Sequence, residues 1–233
     1  MIKQEQGTKA LRGILLMIAA VTFFNVKDGL AKHLSETYPI IELLFFQYAV
    51  MFIIILPIIV IRDGWGRLLT KYPFPLLLRG AIGVIAVGFL FLAVSKIPLT
   101  DAYAITFISP IVVTLLSPFL LGELVGIRRW IAVVVGFFGV LLVIQPGFQE
   151  FSIGIILAIA SGIMFGLYGI VTRRLTRQEL PRIMMFYTSL VGIAGVAPFL
   201  PNIWTPPQLD HGLMIAGMGI LAAAGHVLMI YSY

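Results

Sequence analysis

Two adjacent ionisable residues, Lys27 and Asp28, interrupt an apolar stretch that begins near Leu11. Ions in apolar surroundings are costly, so they usually pair, bind a ligand or reach a polar boundary. The short Asp28 side chain favours a cavity, whereas the longer Lys27 side chain could face a cavity or extend its amine to water. Lys32, one turn beyond Asp28, is an alternative ion-pair partner. Asn25 extends the polar stripe, and the group predicts either a polar solute site or a local ion pair.

Hydroxyl groups and prolines fall together in the fourth apolar segment of the chain. Pro110 lacks a backbone N–H, so a helix through it leaves the carbonyl of Thr106 without a donor. Pro118 does the same to the carbonyl of Thr114. These carbonyls, with the hydroxyl of Tyr103, could bind a solute. Alternatively, neighbouring groups could satisfy them and leave only a kink.

No catalytic motif accompanies these groups. The sequence contains no HExxH, no GxSxG and no glycine-rich phosphate loop. It also has no cysteine, which excludes disulfides, thiolate nucleophiles and cysteine-based metal sites. The sequence therefore predicts a protein that is not an enzyme and has neither a metal site nor a cofactor.

The composition is that of a membrane protein. Of the 233 residues, 60% are hydrophobic and 11% charged, whereas a soluble domain is about half apolar and a quarter charged. Crossing a bilayer core about 30 Å thick takes about 20 apolar residues in a helix. The apolar runs predict an all-α polytopic membrane protein whose eight spans lie near 11–34, 41–61, 75–95, 100–121, 128–145, 152–172, 183–200 and 213–232.

Basic residues lie mainly on one side of these predicted spans. The thirteen on that side are Lys3, Lys9, Arg12, Arg62, Arg67, Lys71, Arg79, Arg128, Arg129, Arg173, Arg174, Arg177 and Arg182. The positive-inside rule places them in the cytoplasm together with the N-terminus. This predicts a multi-pass inner-membrane protein. The basic residues are spread between apolar runs, so the net charge of +6 does not predict a nucleic-acid partner.

A shift of 141 positions reveals an internal repeat. Residues 13–19 align with 154–160, with five identities in seven residues. Five predicted helices precede the second copy, and this odd number inverts its orientation in the membrane. We therefore predict a first repeat of five helices, 13–145, and an incomplete second repeat of three, 152–233. Inverted repeats are typical of transporters, although duplication in a protein that does not transport stays an alternative.

The fourth span and the residues after it also carry a family pattern. It consists of Ile105-Thr106-Phe107-Ile108-Ser109-Pro110, then Gly122-Glu123 and Arg129-Trp130. This order resembles the EamA domain of the drug/metabolite transporter superfamily. The resemblance implies a ten-helix inverted-repeat transporter with a central cavity, of which about eight spans are present here. Asp28 and Lys32 match similar members, and Gln47 stands where such members carry Arg, so an anionic substrate is not implied.

These observations predict a membrane transporter that moves a small polar metabolite across the inner membrane by alternating access. Amino acids, nucleosides and vitamins are the solutes that the resemblance implies. The expected partners are this solute and the lipid bilayer, and a homodimer is left open. The alternative is a truncated, non-transporting membrane protein or an assembly subunit. The residues predicted to bind the solute are Asn25, Lys27, Asp28, Gln47, Tyr103, Thr106, Tyr168 and Tyr187.

Overall fold

The protein is helical throughout the ranges that its structure describes. The structure is a computed structural model that describes residues 2–122, 125–144 and 152–232. Two 3-10 turns, Trp65–Leu68 and Ala197–Asn202, accompany the α-helices. The helices are α1 Ile2–Leu34, α2 Ile40–Asp63, α3 Pro73–Val94, α4 Leu99–Thr106, α5 Ser109–Leu121, α6 Ile127–Ile144, α7 Ile153–Leu175, α8 Pro181–Val196 and α9 Leu209–Tyr231.

Seven helical segments of the described chain are long and apolar enough to cross a bilayer. They are Leu11–Leu34, Ile40–Asp63, Pro73–Val94, Leu99–Leu121, Ile153–Leu175, Pro181–Asn202 and Leu209–Tyr231. The span predicted near 128–145 is also helical, as α6, with a described apolar stretch at Trp130–Gly139; residue 145 lies outside the described ranges. The prediction of an all-α polytopic membrane protein is confirmed.

The predicted fourth span is interrupted after Thr106, where α4 ends. The N–H of Phe107 bonds to the carbonyl of Tyr103 at 3.2 Å, and α5 then begins with Pro110 in its first turn. A proline is tolerated there because first-turn N–H groups have no partner within their own helix. The carbonyl oxygen of Thr106 lies 3.0 Å from where a Cβ on Gly162 would be. It therefore lies against the backbone of α7.

One compact unit contains Met1–Leu77 and Leu175–Tyr233. In it, α1 packs along α9, and α2 packs along both α8 and α9. Close approach depends on glycines, since a Cβ on Gly225 would lie 2.7 Å from the ring of Phe24, and one on Gly219 would lie 2.4 Å from Val50. Small residues at such contacts are a common means of helix packing in membranes. The unit joins helices from both predicted sequence repeats.

The second compact unit is Leu78–Arg174 and contains most of α3, then α4 to α6 and most of α7. Its buried core is apolar and includes Leu90, Ala93, Val94, Ala102, Ile105, Ile155 and Ala158. The Ser161 hydroxyl on α7 donates a 2.8 Å hydrogen bond to the carbonyl of Ala86 on α3. This unit also draws helices from both predicted repeats, so folding units and predicted repeats do not share boundaries. The division into repeats stays a prediction.

Two glycines on α8 offer a matched test of this packing. A Cβ on Gly192 would lie 2.3 Å from the ring of Tyr48, whereas a Cβ on Gly195 would meet no atom within 4 Å. We expect Gly192→Ala to lower the free energy of unfolding by about 1–3 kcal/mol, because the Tyr48 ring must move. Gly195→Ala should be neutral or raise it by up to about 1 kcal/mol, since alanine favours helix. Unfolding in mixed micelles measures both, and equal effects would contradict the assigned contact.

Candidate functional site

A buried polar cluster joins α1 to α2 in the first compact unit. The amine of Lys27 forms an ion pair with the carboxylate of Asp28, the next residue on α1. It also donates a hydrogen bond of 3.3 Å to Oε1 of Gln47 on α2. The exposed fractions of Lys27, Asp28 and Gln47 are 3%, 2% and 1%. The sequence analysis chose all three as solute-binding residues, and the structure brings them together.

The cluster also retains hydrogen-bonding capacity. Nε2 of Gln47 is buried and has no hydrogen-bond partner in the described structure. A buried N–H without an acceptor costs about 1–3 kcal/mol, so this amide favours an arrangement in which a ligand oxygen accepts from it. Lys27 does not extend its amine to water, because burial and pairing hold it against Asp28. Asn25 is exposed on α1 and does not join the cluster.

His226 on α9 lies beside Phe24 of α1. The two rings meet edge to face with centroids 5.0 Å apart. Nδ1 of His226 lies 2.8 Å from the carbonyl oxygen of Ala222. His226 therefore contributes to the packing of α1 against α9.

A second buried polar cluster lies in the other compact unit, around Arg79 of α3. Its Nε donates a 2.8 Å hydrogen bond to the hydroxyl of Thr172, and a terminal nitrogen donates to the hydroxyl of Tyr168. The guanidinium carbon also lies 4.4 Å from the centroid of the Tyr168 ring, which is a cation–π contact. Arg79 is fully buried. The sequence analysis counted Arg79 among the basic residues of the cytoplasmic side and did not predict that hydroxyl groups on α7 hold it within α3.

The two clusters occupy related positions in the predicted repeats. A shift of 141 aligns Lys27 with Tyr168, because 27 plus 141 is 168. Each of these residues lies on the first helix of its repeat and contacts a polar side chain of another helix, Gln47 or Arg79. In the predicted repeat the two positions are equivalent, but their partners lie on different helices, Gln47 on α2 and Arg79 on α3.

The sequence profile of the EamA-like transporter family matches residues 11–145, more than half of the chain. The chain belongs to the EamA-like transporter family. The matched range ends beyond the motif that the sequence analysis used, although Glu123 itself lies outside the described residues. With its apolar helices, this membership makes the protein a multi-pass membrane transporter of a small metabolite.

Bacterial proteins that are similar to this chain are named as transporters or exporters. An S-adenosylmethionine uptake transporter of Rickettsia prowazekii is 25% identical over 222 residues, covering 95% of this chain and 74% of the relative. A pseudopaline exporter of Pseudomonas aeruginosa is 27% identical, covering 95% and 78%. A riboflavin transporter of Vibrio cholerae is 26% identical, covering 91% and 73%. A known crystal structure shares the fold, with a TM-score of 0.71 at 19% identity, covering 94% of this chain and 78% of the other.

The remaining predicted residues of this EamA-like transporter lie elsewhere. Tyr103 is half-buried against the core of the second unit. The hydroxyl of Thr106 is used within α4, where it donates to the carbonyl of Tyr103 at 2.8 Å. In the first unit, the Tyr187 hydroxyl donates to the carbonyl of Leu68 at 2.9 Å and so anchors a 3-10 turn. These hydroxyls serve the fold in the conformation described.

Two further polar contacts of the EamA-like transporter lie near this turn. Arg182, in the first turn of α8, pairs with Asp63 at the end of α2 through two donors. Glu179 accepts a hydrogen bond from the hydroxyl of Thr70. The first contact joins α8 to the end of α2, and the second joins the α7–α8 connection to the segment between the turn Trp65–Leu68 and α3.

Sequence reasoning missed one fully buried carboxylate, Glu42, in the first turn of α2. Its Oε2 accepts the backbone N–H of Thr205 at 3.0 Å, and its Oε1 is buried without a hydrogen-bond partner. The signal was present, because Glu42 stands alone in the apolar run after Pro39. Its closeness to the start of the helix made an interfacial position equally compatible with the sequence.

Proposed function

We propose that this EamA-like transporter moves a small polar metabolite across a bacterial-type inner membrane by alternating access, with Lys27, Asp28 and Gln47 binding the solute. The observation that carries the proposal is the buried cluster of a cation, an anion and an amide with an unused N–H donor. Intramembrane ionisable groups generally mark solute or ion pathways. The predicted inverted repeat adds support, since two similar halves can open in turn to opposite sides.

The chemistry of the cluster favours a solute that carries both acceptor and donor groups. Nε2 of Gln47 can donate to a carbonyl or carboxylate oxygen of the solute. Lys27 and Asp28 can exchange their mutual contact for an anionic and a cationic group of the solute, because their pairing is local to one helix turn. The similar proteins are named for uptake and for export, so they support transport without favouring a direction.

The proposed orientation follows from the basic residues. Arg62, Arg67, Arg173 and Arg174 lie near the ends of spans at which the positive-inside rule predicts the cytoplasm. We place the N-terminus on that side. The α1–α2 connection and the α8–α9 connection then lie on the opposite side, toward the exterior.

The test is solute counterflow in proteoliposomes that contain the 233-residue chain, with a panel of amino acids, nucleosides and vitamins that includes riboflavin and S-adenosylmethionine. We expect at least one solute to exchange. Gln47→Ala should weaken its apparent affinity about 10-fold to 100-fold, the loss expected for one hydrogen bond to a polar or charged solute group. Gln178→Ala is the matched control, because Gln178 is exposed in the α7–α8 connection.

Two results would contradict this assignment. Equal affinities in Gln47→Ala and the parent chain would remove Gln47 from the solute site. Absence of exchange for every solute, in a chain whose circular dichroism shows intact helices, would count against transport by these 233 residues.

A further inference from the structure

Among the residues that the structure describes, the buried carboxylate of Glu42 has no cationic partner. It is fully buried in the first turn of α2. In the described residues, its polar contact is a single backbone N–H, that of Thr205, on Oε2, while Oε1 has no partner. An ionised carboxylate in such surroundings loses far more hydration than one N–H replaces. A proton on the free oxygen removes most of that cost, so this geometry favours proton binding.

The N–H that Glu42 accepts belongs to a short segment that connects α8 to α9. This segment, residues 203–208, also donates the N–H of Gln208 to the hydroxyl of Tyr38 at 2.9 Å. The Trp204 ring lies against Phe46, with centroids 5.6 Å apart. Two hydrogen bonds and one ring contact therefore hold the segment against the α1–α2 end of the first compact unit.

The charge on Glu42 controls the strength of one of these hydrogen bonds. A bond to an ionised acceptor is roughly twice as strong as one between neutral groups. Protonation of Glu42 therefore weakens its hold on Thr205, and deprotonation strengthens it. Gln47 lies on the same helix, α2, in the cluster proposed to bind solute. A change at the first turn of α2 can thus be transmitted along a rigid helix to the solute.

We propose that Glu42 is the proton-binding site that couples solute movement to a proton gradient, by releasing the 203–208 segment when it is protonated. This inference rests on the proposed transport function and adds the coupling ion to it. Protonated Glu42 leaves the segment free to move away from α2, and ionised Glu42 fastens it. The proton binds to Glu42 from the side on which this segment lies, and it is released to the other side of the membrane when the transporter opens there, so each cycle carries one proton across.

Other titratable groups lie on the elements at the same end. His211 and Asp210 belong to α9, and Nδ1 of His211 lies 3.1 Å from the hydroxyl of Tyr38. Lys32 and His33 end α1, and Glu36 and Tyr38 follow in the connection. His33 and His211 are in ring contact, 6.4 Å between centroids. The turn Ala197–Asn202 contributes no titratable side chain. Any test of Glu42 must therefore separate it from His211.

Proton binding is measured first, without reference to transport. Infrared difference spectra of the chain in lipid, recorded between high and low pH, should contain the C=O stretch of a protonated carboxyl group that Glu42→Gln removes. Glu36→Gln is the matched control, because Glu36 is exposed in the same region, and it should retain this band. A spectrum unchanged by Glu42→Gln would overturn the proposal.

Trp204 reports the release of the segment. In a Trp65→Phe/Trp130→Phe background, Trp204 is the remaining one of the three tryptophans. Its fluorescence should titrate with pH in this background and lose the titration when Glu42→Gln is added, while His211→Gln should leave a titration in place. A titration that survives Glu42→Gln and disappears in His211→Gln would assign the switch to the histidine and overturn the proposal.

Coupling between proton and solute movement is then measured in proteoliposomes, with a solute that the parent chain exchanges. An imposed pH difference should drive accumulation by the parent chain, and Glu42→Gln should lose this accumulation while it keeps counterflow. Accumulation that is equal in both, or that requires sodium in place of the pH difference, would overturn the coupling role. If no solute moves in any variant, the proposed function fails and the coupling fails with it, whereas the infrared band still decides whether Glu42 binds the proton.

Discussion

Asp28→Asn is expected to lower the free energy of unfolding by about 3–5 kcal/mol, the usual effect of removing one member of a buried ion pair. The amine of Lys27 would stay buried without its carboxylate, while its hydrogen bond to Gln47 remains. Solute exchange should be lost at the same time. Thermal unfolding in mixed micelles measures the first effect, and counterflow measures the second. Asp210→Asn is the matched control, because Asp210 is exposed at the start of α9.

The double variant Lys27→Gln/Asp28→Asn separates stability from function. It removes both charges and keeps the side chains polar and similar in size. Because replacing a whole buried pair by neutral groups is often close to neutral, we expect most of the lost stability to return. Exchange should stay absent, since both charged ligands of the solute are missing. A double variant that folds and exchanges normally would show that the pair only stabilises α1.

The combined variant Tyr168→Phe/Thr172→Val should be as damaging in the second compact unit. Both hydroxyls accept hydrogen bonds from the guanidinium of Arg79, which is fully buried. Each lost bond to a charged donor costs about 1.5–3 kcal/mol, so we expect a loss of about 3–6 kcal/mol in total. The cation–π contact with the ring at position 168 should survive, because phenylalanine keeps the ring.

A double-mutant cycle identifies the cause of this loss. In an Arg79→Met background, no buried guanidinium is left without hydrogen-bond acceptors. The same two substitutions should therefore lower the free energy of unfolding clearly less than in the parent chain. Tyr72→Phe is a matched control on an exposed tyrosine. Arg79→Lys should not substitute for arginine, because a single ammonium cannot reproduce the planar fork that reaches both hydroxyls. If Tyr168→Phe/Thr172→Val lowered the free energy of unfolding equally in the Arg79→Met background and in the parent chain, Tyr168 and Thr172 would act independently of Arg79.

Most of the architecture could be predicted from the sequence, because a bilayer imposes simple rules. Every span must satisfy its own backbone hydrogen bonds, so long apolar runs predict helices, and the helices lie near the predicted positions. The fourth span was predicted as continuous, and the break after Thr106 was missed. Proline lowers the cost of such a break, but the contact of the Thr106 carbonyl with the backbone at Gly162 depends on where α7 packs.

The candidate site was predicted only in part. Lys27 and Asp28 stand out because charge within an apolar run is rare and costly. Gln47 was chosen through the family resemblance, and in the structure its amide oxygen accepts a hydrogen bond from the amine of Lys27. Tyr187 was chosen as a pocket residue, yet its hydroxyl bonds to the backbone of Leu68. A hydroxyl in a helix can serve packing, capping or binding equally well, and local sequence does not distinguish them.

By itself, the sequence determined that this protein lies in a membrane, where along the chain its helices lie and to which transporter family it belongs. Hydrophobicity, charge distribution and motif order are properties of neighbouring residues, so they can be read along the chain. Only the tertiary structure decided that Arg79 is buried among hydroxyls, that Glu42 is buried with no cationic partner in the described part of the chain, and that Gln47 joins the ion pair of α1. Each of these depends on groups far apart in sequence, because the cost of burying a polar atom is set by the atoms that fold against it.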